Sequence, residues 1–257
     1  MSPLRNLALT IEYDGSGFHG WQIQNGHRTV EGELQKALEA VTHAPVKLFA
    51  ASRTDAGVHA RGQMAHFLTA CDFPLPRLQA ALGQILPEDV AVLDIRPMPQ
   101  GFHARHDAKG KWYRYTIFHR EVPPTIERSS VLFVRDKMSV SAMQTAAKLL
   151  MGTHDFSSFG VNSGVEPEST VKTIYRLSVT KDWPKIIIDI VGNSFLYRMV
   201  RSMVGTIIEI GQGKRKPESI TNILEKKDRC AAGVTVAPQG LCLMQVFYED
   251  PSNSHHP

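Results

Sequence analysis

The sequence predicts an α+β protein assembled from two successive β-α-β-β-α-β halves, each an antiparallel sheet with helices over one face. Three features predict it. Short runs alternate apolar with polar or small residues, which is the period of a strand. Longer runs repeat apolar residues every three or four positions, the period of a helix. The two kinds of run then follow the same order in each half.

In the first half, Leu7, Leu9, Ile11 and Tyr13 alternate and predict a half-buried strand. Thr29 is placed to cap a helix carrying Val30, Leu34, Leu38 and Val41 on one face, because its hydroxyl can accept from the free amides of a first turn. Val46 to Ala51 and Gln63 to Leu68 read as strands around a tight loop. Leu78, Leu82, Ile85 and Leu86 define a second helix stopped by Pro87, and Val90 to Ile95 a further strand.

The second half opens with the aromatic-rich strand Lys111 to Phe118, followed by a helix with Val140, Met143, Ala147 and Leu150 on one face. Val171 to Thr180 and Ile186 to Val191 are the next strands. Phe195, Met199, Met203, Ile207 and Ile208 give a helix ending near Gly211, a short helix follows Pro217, and Leu241 to Tyr248 is the closing strand. Two such units are the signature of the ferredoxin-like split fold. With no low-complexity linker, the boundary falls between Gly101 and Lys109: residues 1–105 form the first half, 106–250 the second, and 251–257 a flexible tail.

A content of 42% hydrophobic and 21% charged residues is that of a soluble globular protein. Net charge is only +4, but the cations cluster. Arg96 to Arg120 holds six Lys/Arg against Asp107 alone, and Lys214 to Arg229 six against three acids. Such stripes suit a polyanion such as nucleic acid, and an ordinary solvated face would look similar. Cys71, Cys230 and Cys242 have no Cys-x-x-Cys spacing, so neither a disulfide framework nor a thiolate zinc site is indicated, and a reducing cytoplasm fits best. No apolar signal core opens the chain and no stretch is long enough to span a bilayer, so a cytoplasmic protein without membrane contact is expected.

The segment Ser52 to Gln63 carries the most chemistry. Asp55 lies between Arg53 and Arg61, and a carboxylate near guanidinium groups stays ionised and can act as a nucleophile. The same side chain is equally suited to closing a turn while Gly57 supplies a positive φ. Gly15-Ser16-Gly17-Phe18-His19-Gly20 matches G-x-G-x-x-G after a strand. A dinucleotide fingerprint opens a helix at once, whereas residues Trp21 to Gly26 intervene here, which leaves only a loop bringing backbone close to a phosphate. His103 and His106 have metal-pair spacing without a third ligand, and the His-x-Glu and Pro-Cys-x-x-Cys of zinc deaminases are missing, so no metal is expected.

Tyr113 and Tyr115 share one face of their strand, and Trp112 and Arg114 the other. One face is either a platform for splayed bases or the lining of a core. Arg201 lies among Phe195, Met199, Val200 and Val204, where its guanidinium either pairs with Asp55 or runs along the helix to solvent. Leu241 and Leu243 suit strand core or the apolar wall of a uracil pocket.

Five separated motifs, Tyr13-Asp14-Gly15 with Phe18-His19-Gly20-Trp21-Gln22, Arg53-Thr54-Asp55-Ala56-Gly57-Val58-His59-Ala60, Tyr113-Arg114-Tyr115, His154-Asp155-Phe156 and Asn193 to Arg201, resemble the TruA family of tRNA pseudouridine synthases. The resemblance runs from about residue 7 to residue 248. It implies isomerisation of uridine to pseudouridine at positions 38, 39 and 40 of the tRNA anticodon arm, in a cleft between the halves. By it Asp55 is the nucleophile and Tyr113 stacks on the target base. Arg53 and Arg201 position the loop, the phosphate or the Asp55 carboxylate, and Leu241 or Leu243 lies near the base. It further implies no metal or organic cofactor, and a homodimer whose basic surface holds tRNA. Two other readings stand beside it: a non-catalytic RNA-binding protein on the same scaffold, and a related synthase acting on other RNA sites.

Overall fold

The computed structural model describes residues 4–162, 164 and 167–253, in two compact units. One comprises the described residues up to Ala108 together with Cys242–Tyr248; the other runs from Lys109 to Leu241 and resumes at Glu249.

The first unit contains β1 (Arg5–Tyr13), α1 (Val30–Thr42), β2 (Phe49–Ala50), β3 (His59–Thr69), α2 (Leu75–Ile85) and β4 (Val90–Met98). β1 pairs antiparallel with both β3 and β4, and β2 with β3, the order of the ferredoxin-like split. Thr29 caps α1, its Oγ1 accepting from the Gly32 amide at 3.3 Å. Leu34 and Leu38 of α1 and Leu78 and Leu82 of α2 are buried, each contributing about 1.5–3 kcal/mol of burial. α2 stops at Ile85 because Leu86, which precedes Pro87, is extended.

Two local expectations shift. The strand expected over Val46–Ala51 is shorter: Phe49 and Ala50 pair with β3 and the Ala51 amide donates to the Met64 carbonyl at 2.7 Å, whereas the Val46 amide donates to Glu39 Oε1. β1 is buried on both faces from Asn6 to Leu9 and half-buried only toward its end, where Glu12 is exposed: the segment after β4 lies over its start, where Asn6 Nδ2 donates to the carbonyls of Pro99 and Phe102 at 3.1 and 2.9 Å.

The second unit contains β5 (Gly110–His119), β6 (Leu132–Val134), α3 (Val140–Leu149), β7 (Gly152–Asp155), β8 (Val171–Asp182), β9 (Lys185–Gly192), α4 (Met199–Gly211) and α5 (Ser219–Lys226). Its sheet runs β5-β9-β8-β7 with antiparallel neighbours. Two short strands, β6 and β7, were not anticipated. β6 lies parallel to β5, so the sheet is not wholly antiparallel. α4 is buried along its whole length except at Arg201 and Glu209. It begins at Met199 because Arg198 has a left-handed φ of 58°, which leaves Phe195 in the preceding loop rather than in the helix.

The closing strand β10 (Leu241–Phe247) is the main departure from the expected domains. Residues 242–248, read above as the end of the second half, belong to the first unit because Cys242 and Leu243 pair with His59 and Ala60 of β3. That pairing is parallel, which lets a strand distant in sequence join beside β3 without a hairpin. Of the expected tail, Pro251–Asn253 form one 3-10 turn and residues 254–257 lie outside the described residues.

Candidate active site

Asp55 sits in the loop leading into β3, on the turn closed by the Val58 amide donating to the Asp55 carbonyl at 3.1 Å. Gly57 makes the turn feasible with φ +78°, a region costly for other residues. The turn-closing role falls to the backbone of Asp55, whose side chain is half-buried.

The loop is clamped from three sides within its own unit. Wholly buried Gln63 takes the Ser52 amide on Oε1 at 3.2 Å and donates from Nε2 to the Ser52 carbonyl at 2.7 Å. The Tyr13 hydroxyl meets Thr54 Oγ1 at 2.7 Å. The Trp21 amide donates to the Thr54 carbonyl at 3.1 Å and the Gly57 amide to the Phe18 carbonyl at 3.3 Å.

The glycines of the Gly15–Gly20 segment thereby acquire a different role from the one expected. A Cβ on Gly15 would stand 2.0 Å from the Val58 carbonyl oxygen, and one on Gly20 2.7 Å from that of Thr54. The close approach they permit is to the Asp55 loop. At the edge of the same segment, burial alone would raise the Asp14 carboxyl pKa, but hydrogen bonds from the Ser16 hydroxyl and amide and the neighbouring His59 outweigh it and hold it below the usual value.

The chain segments that support Asp55 were missed as such in the sequence. Gln63 was the one available signal, a long polar side chain opening the apolar run Met64–Leu68. Arg53 and Arg61 are both exposed on the segment.

Asp55 and Arg53 belong to the first unit, Tyr113 and Arg201 to the second. Tyr113 is buried to 8% exposure and meets Phe195 edge-on, ring centroids 5.3 Å apart at 89°. Tyr115, two residues along the same face, is core: its hydroxyl donates to the Ala237 carbonyl at 2.7 Å, and burial pushes its pKa well above the usual tyrosine value. The opposite face is structural. Asp189 of β9 accepts from Trp112 Nε1 at 2.7 Å and from Arg114 Nε and Nη2 at 2.9 and 3.0 Å, so neither side chain is spare for RNA. Arg201 is half-buried and donates from Nε to the Val236 carbonyl at 2.8 Å, which fixes its guanidinium instead of leaving it to trail along the helix. Leu243 is wholly buried and Leu241 6% exposed.

His154-Asp155-Phe156 is also architectural. Burial would raise the Asp155 pKa, but hydrogen bonds from Ser157 and Thr170 and the ion pair with Lys227 at 3.1 Å hold it far below normal, while Phe156 is core. Both cationic stripes lose members to such pairs. Arg114 is bound to Asp189, Arg215 to Glu209 and Lys227 to Asp155, which leaves Arg96, Arg105, Lys109, Arg120, Lys214, Lys216 and Lys226 exposed. The two histidines with metal-pair spacing lie in a cluster of tilted and edge-on rings. His103 and His106 centroids lie 4.2 Å apart, those of His66 and His103 4.8 Å.

A half-buried carboxylate on a clamped, strand-supported turn defines a candidate active site, and the comparisons give the chain a family. The sequence model of the tRNA pseudouridine synthases matches residues 9–107 and 146–249, and the chain belongs to that family, enzymes that isomerise uridine to pseudouridine in tRNA. More particularly, it is 42% identical over 245 residues to tRNA pseudouridine synthase A of Thermoanaerobacter sp. (strain X514), covering 95% of this chain and 100% of that one. It is 43% identical over 246 residues to the protein of the same name from Ruminiclostridium cellulolyticum, with the same coverage. It is 40% identical over 245 residues to tRNA pseudouridine synthase A 2 of Clostridium perfringens, again over 95% and 100% of the two chains. Among the described residues no helix is long and apolar enough to cross a membrane.

Proposed function

We propose that the chain converts uridine to pseudouridine at positions 38, 39 and 40 of the tRNA anticodon arm, with Asp55 as nucleophile, as a homodimer and without a cofactor. The observation that carries this reading is the clamp on the Asp55 turn: Gln63, Tyr13, Trp21 and Phe18 all bond the loop, so the turn that carries the carboxylate is held in advance rather than ordered on binding.

The target nucleotide leaves its stack, which costs less in a loop than in a duplex, and contacts to phosphates offset that cost. Asp55 then adds to C6 of uracil or assists at C1′ of ribose, and the bond between C1′ and N1 breaks. The uracil turns, C5 bonds to C1′, the bond that Asp55 made at C6 or C1′ breaks to return the carboxylate, the proton on C5 is lost and N1 gains one. The sum is an isomerisation with no net electron transfer. In this reading Tyr113 stacks on the base, Arg53 and Arg201 hold the phosphate or the Asp55 carboxylate, and Leu241 or Leu243 borders the uracil.

The test is carbodiimide mapping of pseudouridine on defined tRNA transcripts, with wild type and Asp55→Asn. Wild type is expected to convert uridines 38 to 40, and Asp55→Asn to convert none while binding tRNA within about threefold. Turnover by Asp55→Asn near the wild-type rate would refute the nucleophile. Conversion elsewhere would refute the site assignment, and binding without conversion by wild type would leave an RNA-binding protein.

A further inference from the structure

We propose that the stacked imidazoles of His19 and His27 form an additional RNA contact, an aromatic step on which a base flanking the target nucleotide stacks. This rests on the tRNA reading above.

The two rings lie 4.2 Å apart between centroids, inclined by 27°, and both residues are exposed. Backbone geometry holds them there. The His19 amide donates to the Arg28 carbonyl at 2.9 Å, and the His27 amide to the Gln24 carbonyl at 3.2 Å. Gln24 Nε2 returns to the His19 carbonyl at 2.8 Å.

His19 also stands between two residues that touch the Asp55 turn. Its neighbour Phe18 accepts from the Gly57 amide, and its neighbour Gly20 lies against Thr54. The step is therefore one residue from contacts with the candidate nucleophile loop.

The adjacent cation is already occupied. Arg28 lies over the Phe18 ring at 4.2 Å and binds both Asp89 oxygens at 2.6 and 2.8 Å, so it supports the loop. What this segment offers a ligand is the exposed imidazole pair, in a stretch where Gln22 and Asn25 are exposed as well. Every base presents a π-face, and stacking on an aromatic ring raises affinity about 5- to 100-fold per base. Exposed Arg53 and Arg61 on the neighbouring segment add positive potential for the phosphates.

The test compares the full chain with the double variants His19→Ala/His27→Ala and His19→Phe/His27→Phe, on an in vitro transcribed tRNA. Kd is read by fluorescence anisotropy and pseudouridine formation by single-turnover kinetics. The alanine pair is expected to raise Kd about tenfold and to lower kcat/KM by as much, with a fall of less than threefold in the rate at saturating protein. The phenylalanine pair, which keeps two rings, is expected to stay within about threefold of wild-type Kd. A Kd within twofold of wild type for the alanine pair overturns the proposal. So does a phenylalanine pair as weak as the alanine pair, which would assign the contact to imidazole hydrogen bonding or charge. If wild type converts no tRNA, the enzymatic reading fails, while the Kd comparison on bound tRNA still judges the stack.

Discussion

Gly20→Ala is the sharpest perturbation of the Asp55 loop that leaves every charged and polar side chain in place. Gly20 has φ +88°, so alanine there carries left-handed strain of about 1–3 kcal/mol. Its Cβ would also stand 2.7 Å from the Thr54 carbonyl oxygen and 3.1 Å from the Asp55 carbonyl carbon and the Ala56 amide nitrogen. The closest of these is roughly 0.7 Å short of ordinary contact, and all three are backbone, so the loop itself must move. A displacement approaching 1 Å at a reacting group costs on the order of 100-fold, and a turnover loss of about 10- to 100-fold is expected. The strain should lower Tm by roughly 2–12 °C, at about 2–4 °C per kcal/mol for a chain of this size. Gly213→Ala is the control, since Gly213 has φ +75° with nothing within 4 Å of its Cβ position: it carries the strain without the contact. Turnover is read as release of tritium from C5 of uridine in tRNA, at a temperature where all variants are folded. If Gly20→Ala turns over within twofold of wild type, or Gly213→Ala loses as much, the loop is not positioned by this contact.

Arg114→Met should cost on the order of 3 kcal/mol in urea unfolding, because it leaves the Asp189 carboxylate, 5% exposed, without its cation; a loss under 1 kcal/mol would mean that solvent reaches Asp189. Tyr115→Phe should cost about 1 kcal/mol through the orphaned Ala237 carbonyl, with turnover at saturating tRNA within about threefold of wild type; a collapse of turnover would mark Tyr115 as more than core. Burial pushes His66 and His103 below their ordinary pKa of 6.5, so the unfolded chain takes up protons first as pH falls. Their contribution to stability is complete above about pH 6.5 and is lost below it. His103→Asn, which keeps an acceptor where Nδ1 meets the Arg105 amide, should therefore show a shallower fall of Tm between pH 7 and pH 5, and an unchanged slope would refute this.

What the sequence disclosed and what it hid divide along the range of the interactions. Thr29 and the helix it caps, the Leu86–Pro87 stop and the alternation of β5 are local, and each was legible from neighbours within a few residues. The allegiance of β10 was not, because its partner His59 is far away in the chain and the pairing is parallel, with no turn chemistry to announce it. Gly15 and Gly20 looked like a phosphate-approach loop since their pattern specifies close backbone approach without saying to what; the answer lies in Thr54 and Val58. Tyr113 and Tyr115 present the same alternation, and only the depth of the Tyr115 hydroxyl at Ala237 separates core from candidate contact. Asp55 was singled out by its motif, and the clamp on its turn came from the fold.

The homing of β10 to the first unit has a consequence during synthesis. A ribosome that has released the first unit's other strands must still make the whole intervening unit before Cys242 emerges, a delay on the order of 10–30 s at ordinary elongation rates. Until then the edge of β3 that continues from the Asp55 loop lacks its parallel neighbour at His59 and Ala60. A nascent chain therefore carries the Asp55 loop on an unfinished support, completed only as the last strand docks.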